Sequence, residues 1–588
     1  MPITKNLFGK TRMRANLLVA FFLMFFSFSV FPVKFARTAR GAQELVPAGH
    51  WVYDAITAIS LESGIVNFAD CAPLSIQEIK IYLAEIDYDS LSEAGQSQYD
   101  RIFDYFNERT FAFESGLLSL GLEPSLNLSG FYKTNDDIGW LYDRYERKPA
   151  LDVPVTFSVG DYLTMSMDNF LGENKGASLK NDVYSNVPLD ANDIDINFPD
   201  TGYFSTGYMF TDTTGIGFQL GRGSQSIGRT LSGSMIWSEY LTGVSYGQFE
   251  FYAPSLKYTG RVSQFNVDKY MYTHQIDVRL FKKLKVSFME GLLVYAPMEL
   301  RYMNPWTIFH GFAAWREYEP EERDPESHTC DYFGVSMQFT PFKTTRFYGL
   351  FAMTQYQTPY EKSNWKEDVT PNGLGAQGGM ESYIPAGKGY FHFAFEGSWA
   401  QPYLYIKESP NWSMVRTYSE NMGKKSIFYE WIGSPFGPDT VSGEVTAGYE
   451  KPGKYSLDLT YLFMARGEFS GNSVFDAMKH SDGRNLWGGQ RTYFDVSEVD
   501  PNNTYLSQWA YPNTSYNDGK KLQNLTSPSG RPEFVSRWSL RGTIQPANWL
   551  KITAQPGYVY IYNSDHVHRK VEKGFEIALA MEIAFTKF

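Results

Sequence analysis

The stretch that decides the fold is the carboxy terminus, "KGFEIALAMEIAFTKF", Lys573–Phe588. Phe575, Ile577, Leu579, Met581, Ile583 and Phe585 fall on one parity, and Glu576, Ala578, Ala580, Glu582 and Ala584 on the other. Side chains alternate faces along a strand, so one face is apolar and the other small or polar. A half-buried strand of a soluble sandwich alternates in the same way. The stretch becomes decisive only with the chain that precedes it.

Read backwards, the period of 2 continues to about Gly121. "RWSLRGTIQP" sets Trp538, Leu540 and Ile544 against Ser539, Arg541, Thr543 and Gln545. After a Pro546-Ala547-Asn548 turn, "LKITAQP" alternates again, and "GYVYIYN" aligns Tyr558, Tyr560 and Tyr562. "GEVTAGYEKPGKYSLDLTYLFMARGE" reads as a hairpin about Pro452-Gly453. Very short turns alternate with long polar inserts at 134–150, 171–200, 315–330 and, longest, about 470–531. A soluble β protein has no reason to keep its short turns at one end. A transmembrane barrel has: tight turns face the periplasm and long loops face outside, with apolar registers towards lipid and polar ones towards the lumen. Closure satisfies every backbone hydrogen bond between strands. The closing strand then resembles the carboxy-terminal signal read by outer-membrane insertion machinery. Phe588 departs from the parity of Phe585, which implies a bulge or a shifted register. About 470 residues at roughly 26 per strand with its loop give about 18 strands. The expected fold is an all-β transmembrane barrel of antiparallel strands with a small N-terminal helical domain.

Composition agrees. Aromatic residues make up 17% of the chain, with 41 Tyr and 45 Phe, which suits amphipathic strands. The net charge of −12 argues against a nucleic-acid partner, because phosphate binding needs a basic surface. Lys5, Lys10, Arg12 and Arg14 precede an apolar run over 17–31, and Ala39-Arg40-Gly41 has small–x–small spacing. Residues 1–41 therefore read as a secretory signal cut after Gly41. An uncleaved amino-terminal helix is the alternative. Cys71 and Cys330 read as free thiols.

Residues 43–115 read as a periplasmic helical domain. Val52, Ala55, Ile56 and Ile59 form one stripe ending at Gly64. Ser75 and Glu78 make a capping box before Ile76, Ile79, Leu83 and Ile86. Tyr99, Ile102, Phe103 and Phe106 form a third stripe. The barrel is expected over 120–588.

The motifs carry little catalytic chemistry. "GRGSQSIGRTLSG" (Gly221–Gly233) lacks the Gly-Lys-Ser/Thr of a phosphate-binding loop and reads as a flexible connection between strands. Within it, Arg222 and Arg229 are candidates for pore-facing ligands of an anion. His566 and His568 share a strand face with no third metal ligand in sight and read as a solvated hairpin end, and the acidic run Glu317–Glu326 reads as a solvated loop or a cation attractor. No cofactor, metal or enzymatic activity is expected. The last long insert interleaves Trp487, Tyr493, Trp509, Tyr511 and Tyr516 with Asn, Gln and Ser. Aromatic faces stack on sugars while amides bond hydroxyls, so these five are candidate polysaccharide-binding residues. Packing within the loop, or an interfacial belt, is the competing reading.

Several stretches resemble the capsule assembly protein Wzi family: "HWVYDAITAISLESGIV", "PLSIQEIKIYL", "GRGSQSIGRTLSGS", "MELRYMNPWTIFHGF" (Met298–Phe312) and "EWIGSPFGPDTVSGEVTAGYE". The resemblance implies an eighteen-stranded outer-membrane barrel with an amino-terminal helical bundle and lectin-like anchoring of capsular polysaccharide at the cell surface. The first two stretches also resemble an S-layer homology module, although "PLSIQE" departs from its usual Thr-Arg-Ala-Glu. That likeness implies a porin or uptake channel tethered to the cell wall. The expected partners are surface polysaccharide, the outer-membrane lipid bilayer and the insertion machinery.

Overall fold

The alternating carboxy terminus is the closing strand of a barrel. The structure, a computed structural model, describes residues 39–109, 111–138, 147–173, 184–190, 194–310, 329–364, 371–407, 413–420, 426–468 and 526–585. Strand β1 is interrupted at Glu123-Pro124 into Leu118–Leu122 and Ser125–Lys133. It is followed by β2 (Leu151–Val159), β3 (Leu163–Glu173), β4 (Ile194–Thr211), β5 (Thr214–Gly223), β6 (Val244–Ala253), β7 (Leu256–Asn266), β8 (Lys269–Leu280) and β9 (Leu284–Tyr295). The second half comprises β10 (Thr329–Phe342), β11 (Thr345–Gln355), β12 (Gly373–Ala386), β13 (Gly389–Ala400), β14 (Thr440–Lys451), β15 (Tyr455–Arg466), β16 (Glu533–Ala547), β17 (Leu550–Tyr562) and β18 (Val571–Ala584). These eighteen strands, with a short leading strand Phe111–Ser115 paired to Leu118–Leu122, form a closed antiparallel barrel. Its seam pairs β18 with β1, from Glu576 opposite Lys133 to Ala584 opposite Ser125.

The two parities of β18 separate as alternation demands. Phe575 and Leu579 are exposed on the outer wall, while Glu576 and Ala578 are buried inside. Outer registers elsewhere carry Phe249, Ile276, Phe288, Met337, Phe393, Leu459 and Trp538; inner ones carry Gln248, Gln275, Ser287, Gln338 and Glu396. One end has only two- or three-residue turns. The other has the long connections, apart from Val267-Asp268 between β7 and β8. Some boundaries differ from the sequence reading. The insert at 171–200 is flanked by strand, since β3 runs to Glu173 and β4 starts at Ile194. "LKITAQP" and "GYVYIYN" run together as the single strand β17 through Pro556.

Three helices precede the barrel: α1 (Trp51–Ser63), α2 (Ile76–Ala84) and α3 (Glu93–Asn107). Gly64 stops α1 with φ +73°, a left-handed conformation that glycine adopts freely. Ser75 Oγ caps α2 by accepting from the Glu78 amide at 3.2 Å. Glu78 does not complete the capping box, because its carboxylate turns to Tyr82 and to Lys257 of β7. In α3, Ile102 and Phe106 are buried but Phe103 is 56% exposed, so the third stripe is narrower than its spacing suggested.

The helical segment does not stand apart from the barrel. It sits in the short-turn mouth and ties its carboxylates to lumen-facing strand residues. Glu78 meets Lys257 (2.6 Å), Glu85 meets Arg279 of β8 (2.6 Å), Asp70 meets Lys285 of β9, and Glu62 accepts from Tyr390 of β13 (2.6 Å). The apolar side chains of Ala58, Leu61 and Ala94 pack against Tyr383 and Tyr390.

Candidate functional site: the filled lumen

Two long connections fold into the cylinder instead of away from it. The first, 224–243, follows β5. Its Gln225, Ile227, Met235, Ile236, Trp237 and Leu241 are all buried. The second follows β13, and Tyr403, Leu404, Tyr405, Ile406, Met414, Val415, Trp431 and Ile432 are buried with it. Together with inward strand residues Met271, Met289, Leu293, Cys330, Tyr332 and Leu350 they make one apolar cluster inside the barrel.

Wall residues hold the backbone of the first loop. Glu396 of β13 accepts from the amides of Leu231 (2.8 Å) and Ser232 (3.1 Å), and from Tyr348 of β11 (2.6 Å). Gln377 of β12 accepts from the Met235 amide (2.9 Å) and donates to the Gly233 carbonyl (3.0 Å). Tyr332 of β10 donates to the Ile236 carbonyl at 2.6 Å. A loop without sheet partners inside a barrel must find donors and acceptors from side chains, and these wall residues supply them. The same loop is stitched downwards to the helical segment, with the amides of Ser226 and Gly228 donating to the carbonyls of Ala72 and Asp70 at 2.9 Å each. It is stitched upwards where the Ser238 amide donates to the Ile432 carbonyl at 2.8 Å. A continuous column of chain therefore runs from the helices through both loops. A cavity of about 20 Å³ where the helices meet Arg229, Gln338 and Arg346 has room for about one water.

This overturns the reading of Gly221–Gly233 as a flexible connection, because the loop is a packed filling. Arg229 lies in it with its guanidinium clamped by Glu381 of β12 (2.9 Å) and Asp54 of α1 (2.7 Å). An anionic ligand there competes with two carboxylates already in place. Arg222 faces the other way: it shares a register with exposed Phe218 and Leu220 and pairs with Ser245 on the outer wall. It does not line the lumen. The five aromatic candidates Trp487, Tyr493, Trp509, Tyr511 and Tyr516 lie outside the described residues, as does the acidic run Glu317–Glu326. The insert that carries them is anchored at its base. Asp439, from "SPFGPD", accepts from the Ser529 amide (2.9 Å), Ser529 Oγ (2.5 Å) and Ser527 Oγ (3.0 Å). Among the described residues no group of three potential metal ligands occurs, and both cysteines are buried free thiols.

No family model matches the chain and no curated protein matches it. Solved structures do. Wzi of Escherichia coli, described as an outer-membrane protein involved in group 1 capsule assembly and a carbohydrate-binding β-barrel, superposes with a TM-score of 0.53 at 11% identity. The match covers 93% of this chain and all of that one. The barrel is Wzi-like. At this identity the likeness shows the fold, and it agrees with the resemblance seen in the sequence stretches. OprD of Pseudomonas aeruginosa matches with a TM-score of 0.35 at 9% identity, over 80% of this chain and 96% of that one. The channel DcaP of Acinetobacter baumannii gives 0.33 at 9%, over 80% and 99%. The closed barrel with an apolar outer belt is an outer-membrane protein.

The residues that fill the lumen were not singled out from the sequence. "SMIW" (Ser234–Trp237) is an apolar run within a supposed loop, and Tyr332 and Tyr348 are bulky residues on polar-face registers. Both are signals of an occupied lumen, since a water-filled channel leaves such side chains without packing partners.

Proposed function

We propose that the protein is a non-catalytic outer-membrane barrel that binds and anchors surface polysaccharide at its long-loop end. The observation that carries this reading is the column of inward-folded chain: helices in one mouth and two loops above them occupy space that a diffusion channel needs for water. A barrel that does not exist to conduct is a scaffold for what its loops bind. The likeness to Wzi, whose description is a carbohydrate-binding barrel, supports the same class of ligand. The best platform for it is the insert bearing Trp487, Tyr493, Trp509, Tyr511 and Tyr516, where stacking aromatics alternate with amides. Asp439 fixes both ends of that insert to the rim, its carboxylate holding Ser527 and Ser529 and its carbonyl accepting from the Gly467 amide at 2.8 Å.

A tethered porin is the rival reading. The engagement of Asp54, Glu62, Asp70, Glu78 and Glu85 with the barrel weighs against it, because those faces of the helical segment are already occupied. The test is a glycan array probed with the full barrel and with a variant lacking 470–525, which leaves Ser527 and Ser529 on Asp439. Binding that disappears with the insert supports the platform, and unchanged binding rejects it. Large steady currents from the intact protein in planar bilayers reject the filled-scaffold reading altogether.

A further inference from the structure

The first part of the long connection after β9, residues 296–310, folds outwards, onto the outer wall. Alternation proves the direction. On β9, Met289 and Leu293 belong to the lumen cluster, while Leu292 and Val294, one residue away, belong to a separate cluster with Tyr272, Tyr302 and Phe309. Tyr272 likewise alternates with lumen-facing Met271 on β8. Outer registers of these strands are otherwise exposed, as Ile276 and Phe288 are. Residues 296–310 therefore form a flap across the outside of β8 to β10.

The flap covers polar groups that a lipid-facing wall cannot leave bare. Phe309 stacks on His274 at 4.4 Å between ring centroids. The His310 amide donates to Glu290 at 3.0 Å, and the His310 ring meets Asp331 at 2.9 Å. Glu290 shares the outward parity of Phe288, and Asp331 that of Val335. The flap's own charges, Glu299 and Arg301, pair with each other at 2.5 Å. Five of its apolar side chains are bare, with Asn304 and His310 exposed among them: Trp306 is 89% exposed, Leu300 76% and Ile308 70%, beside Met298 and Met303. Single exposed apolar residues are ordinary, but five on one short segment need a partner.

We propose that this partner is membrane lipid: the Met298–His310 flap extends the apolar belt sideways and seats Trp306, Leu300 and Ile308 in the outer interfacial layer. Three observations favour lipid over another occupant. The flap lies on the same outward face as the belt residues Ile276, Phe288, Val335 and Met337, beyond the Glu290–His310–Asp331 contact. Trp at the belt's upper margin matches the preference of its amphipathic ring for the headgroup level. Glu299 and Arg301 satisfy each other and His310 is matched by Asp331 of the wall, leaving no charge of the flap to be matched by a protein partner.

The test uses the full chain in phosphatidylcholine vesicles, with Trp306→Cys carrying an environment-sensitive thiol label and Ser363→Cys, exposed in the next long loop, as the aqueous control. Cys71 and Cys330 are buried, and unsubstituted protein measures their residual labelling. The Trp306 site is expected to be quenched several-fold more strongly by acyl-chain-brominated lipid, and several-fold less by aqueous iodide, than the control site. Ile308→Cys should behave like Trp306→Cys. Iodide quenching equal to the control at both flap sites overturns the proposal. So does iodide protection that vanishes when protein is diluted in the vesicles, because it identifies a second copy as the occupant. His310→Ala with Asp331→Asn, which unlatches the flap, should raise iodide access at position 306.

Discussion

Lys285→Met tests how the helical segment is held in the barrel. The ammonium lies between two buried carboxylates, bonded to Asp70 of the helical segment and 3.1 Å from Asp277 of β8. Neutral donors also serve both acids, Gln338 to Asp70 at 2.6 Å and Gln275 to Asp277 at 3.0 Å. These donors cannot neutralise charge. Methionine keeps the volume of the stem and removes the cation, leaving two carboxylates facing each other away from water. Breaking a buried pair in this way costs about 3–5 kcal/mol. Asp277 belongs to the wall and Asp70 to the plug, so the cost falls on their contact rather than on the sheet. At about 1.4 kcal/mol per power of ten, the undocked population rises by about two to three and a half powers of ten. Native-state hydrogen exchange on the full chain reads this directly: amides of α1 and α2 should exchange faster by that factor, while those of β14 to β17 stay unchanged. Adding Asp70→Asn removes the stranded charge and should recover most of the protection. Unchanged helix exchange in Lys285→Met refutes the idea that buried ion pairs hold the plug.

Asp439→Ala loses three hydrogen bonds to Ser527 and Ser529 and should weaken glycan binding on the array without lowering the barrel's heat stability; Asp439→Asn, which tolerates the φ of +58° there, should be milder. Leu579→Arg points a cation at lipid from the exposed face of β18 and should cost about 2–4 kcal/mol if the site lies near the midplane, measured by urea unfolding in vesicles. Burial, with Glu250 nearby, raises the Glu78 carboxyl from 4.5 to about 7 against the pull of Lys257. A raised acid prefers its proton in the docked state, so its contribution to docking is complete below pH 4.5 and is lost as pH rises through about 7. Glu78→Gln should flatten that part of the hydrogen-exchange pH profile. Arg40 is buried between Glu44 (2.7 Å) and Glu123, beside the Arg109–Glu44 pair at 2.5 Å. Mass spectrometry of the mature protein should therefore give a cut upstream of Arg40 rather than after Gly41, since the later cut strips one cation from a buried network.

Legibility followed periodicity. β18, the Pro452-Gly453 hairpin and the three helices could be read because each has one solvent or lipid face and one packed face, which writes a period of 2 or 3.6 into neighbouring residues. The strand number followed from repeat spacing. The lumen filling escaped because 224–243 has no regular backbone and hence no period; its partners, Glu396, Gln377 and Tyr332, lie between 96 and 164 residues away in the chain. Arg222 was misread for a related reason. Its parity is that of Phe218 and Leu220, but next to a glycine-rich loop the alternation need not run on, and the pairing with Ser245 shows that it does.

By itself the sequence determined that a sheet closes in a membrane and which parity of most strands faces lipid, Arg222 excepted, because alternation and the burial of apolar area are local rules that each strand obeys alone. Only the tertiary structure decided what the cylinder contains and which loops fold in, out or across it. Those choices rest on charges and hydrogen bonds between distant segments, such as Asp70 with Lys285 and Glu396 with Ser232, and no local pattern encodes a partner that far away.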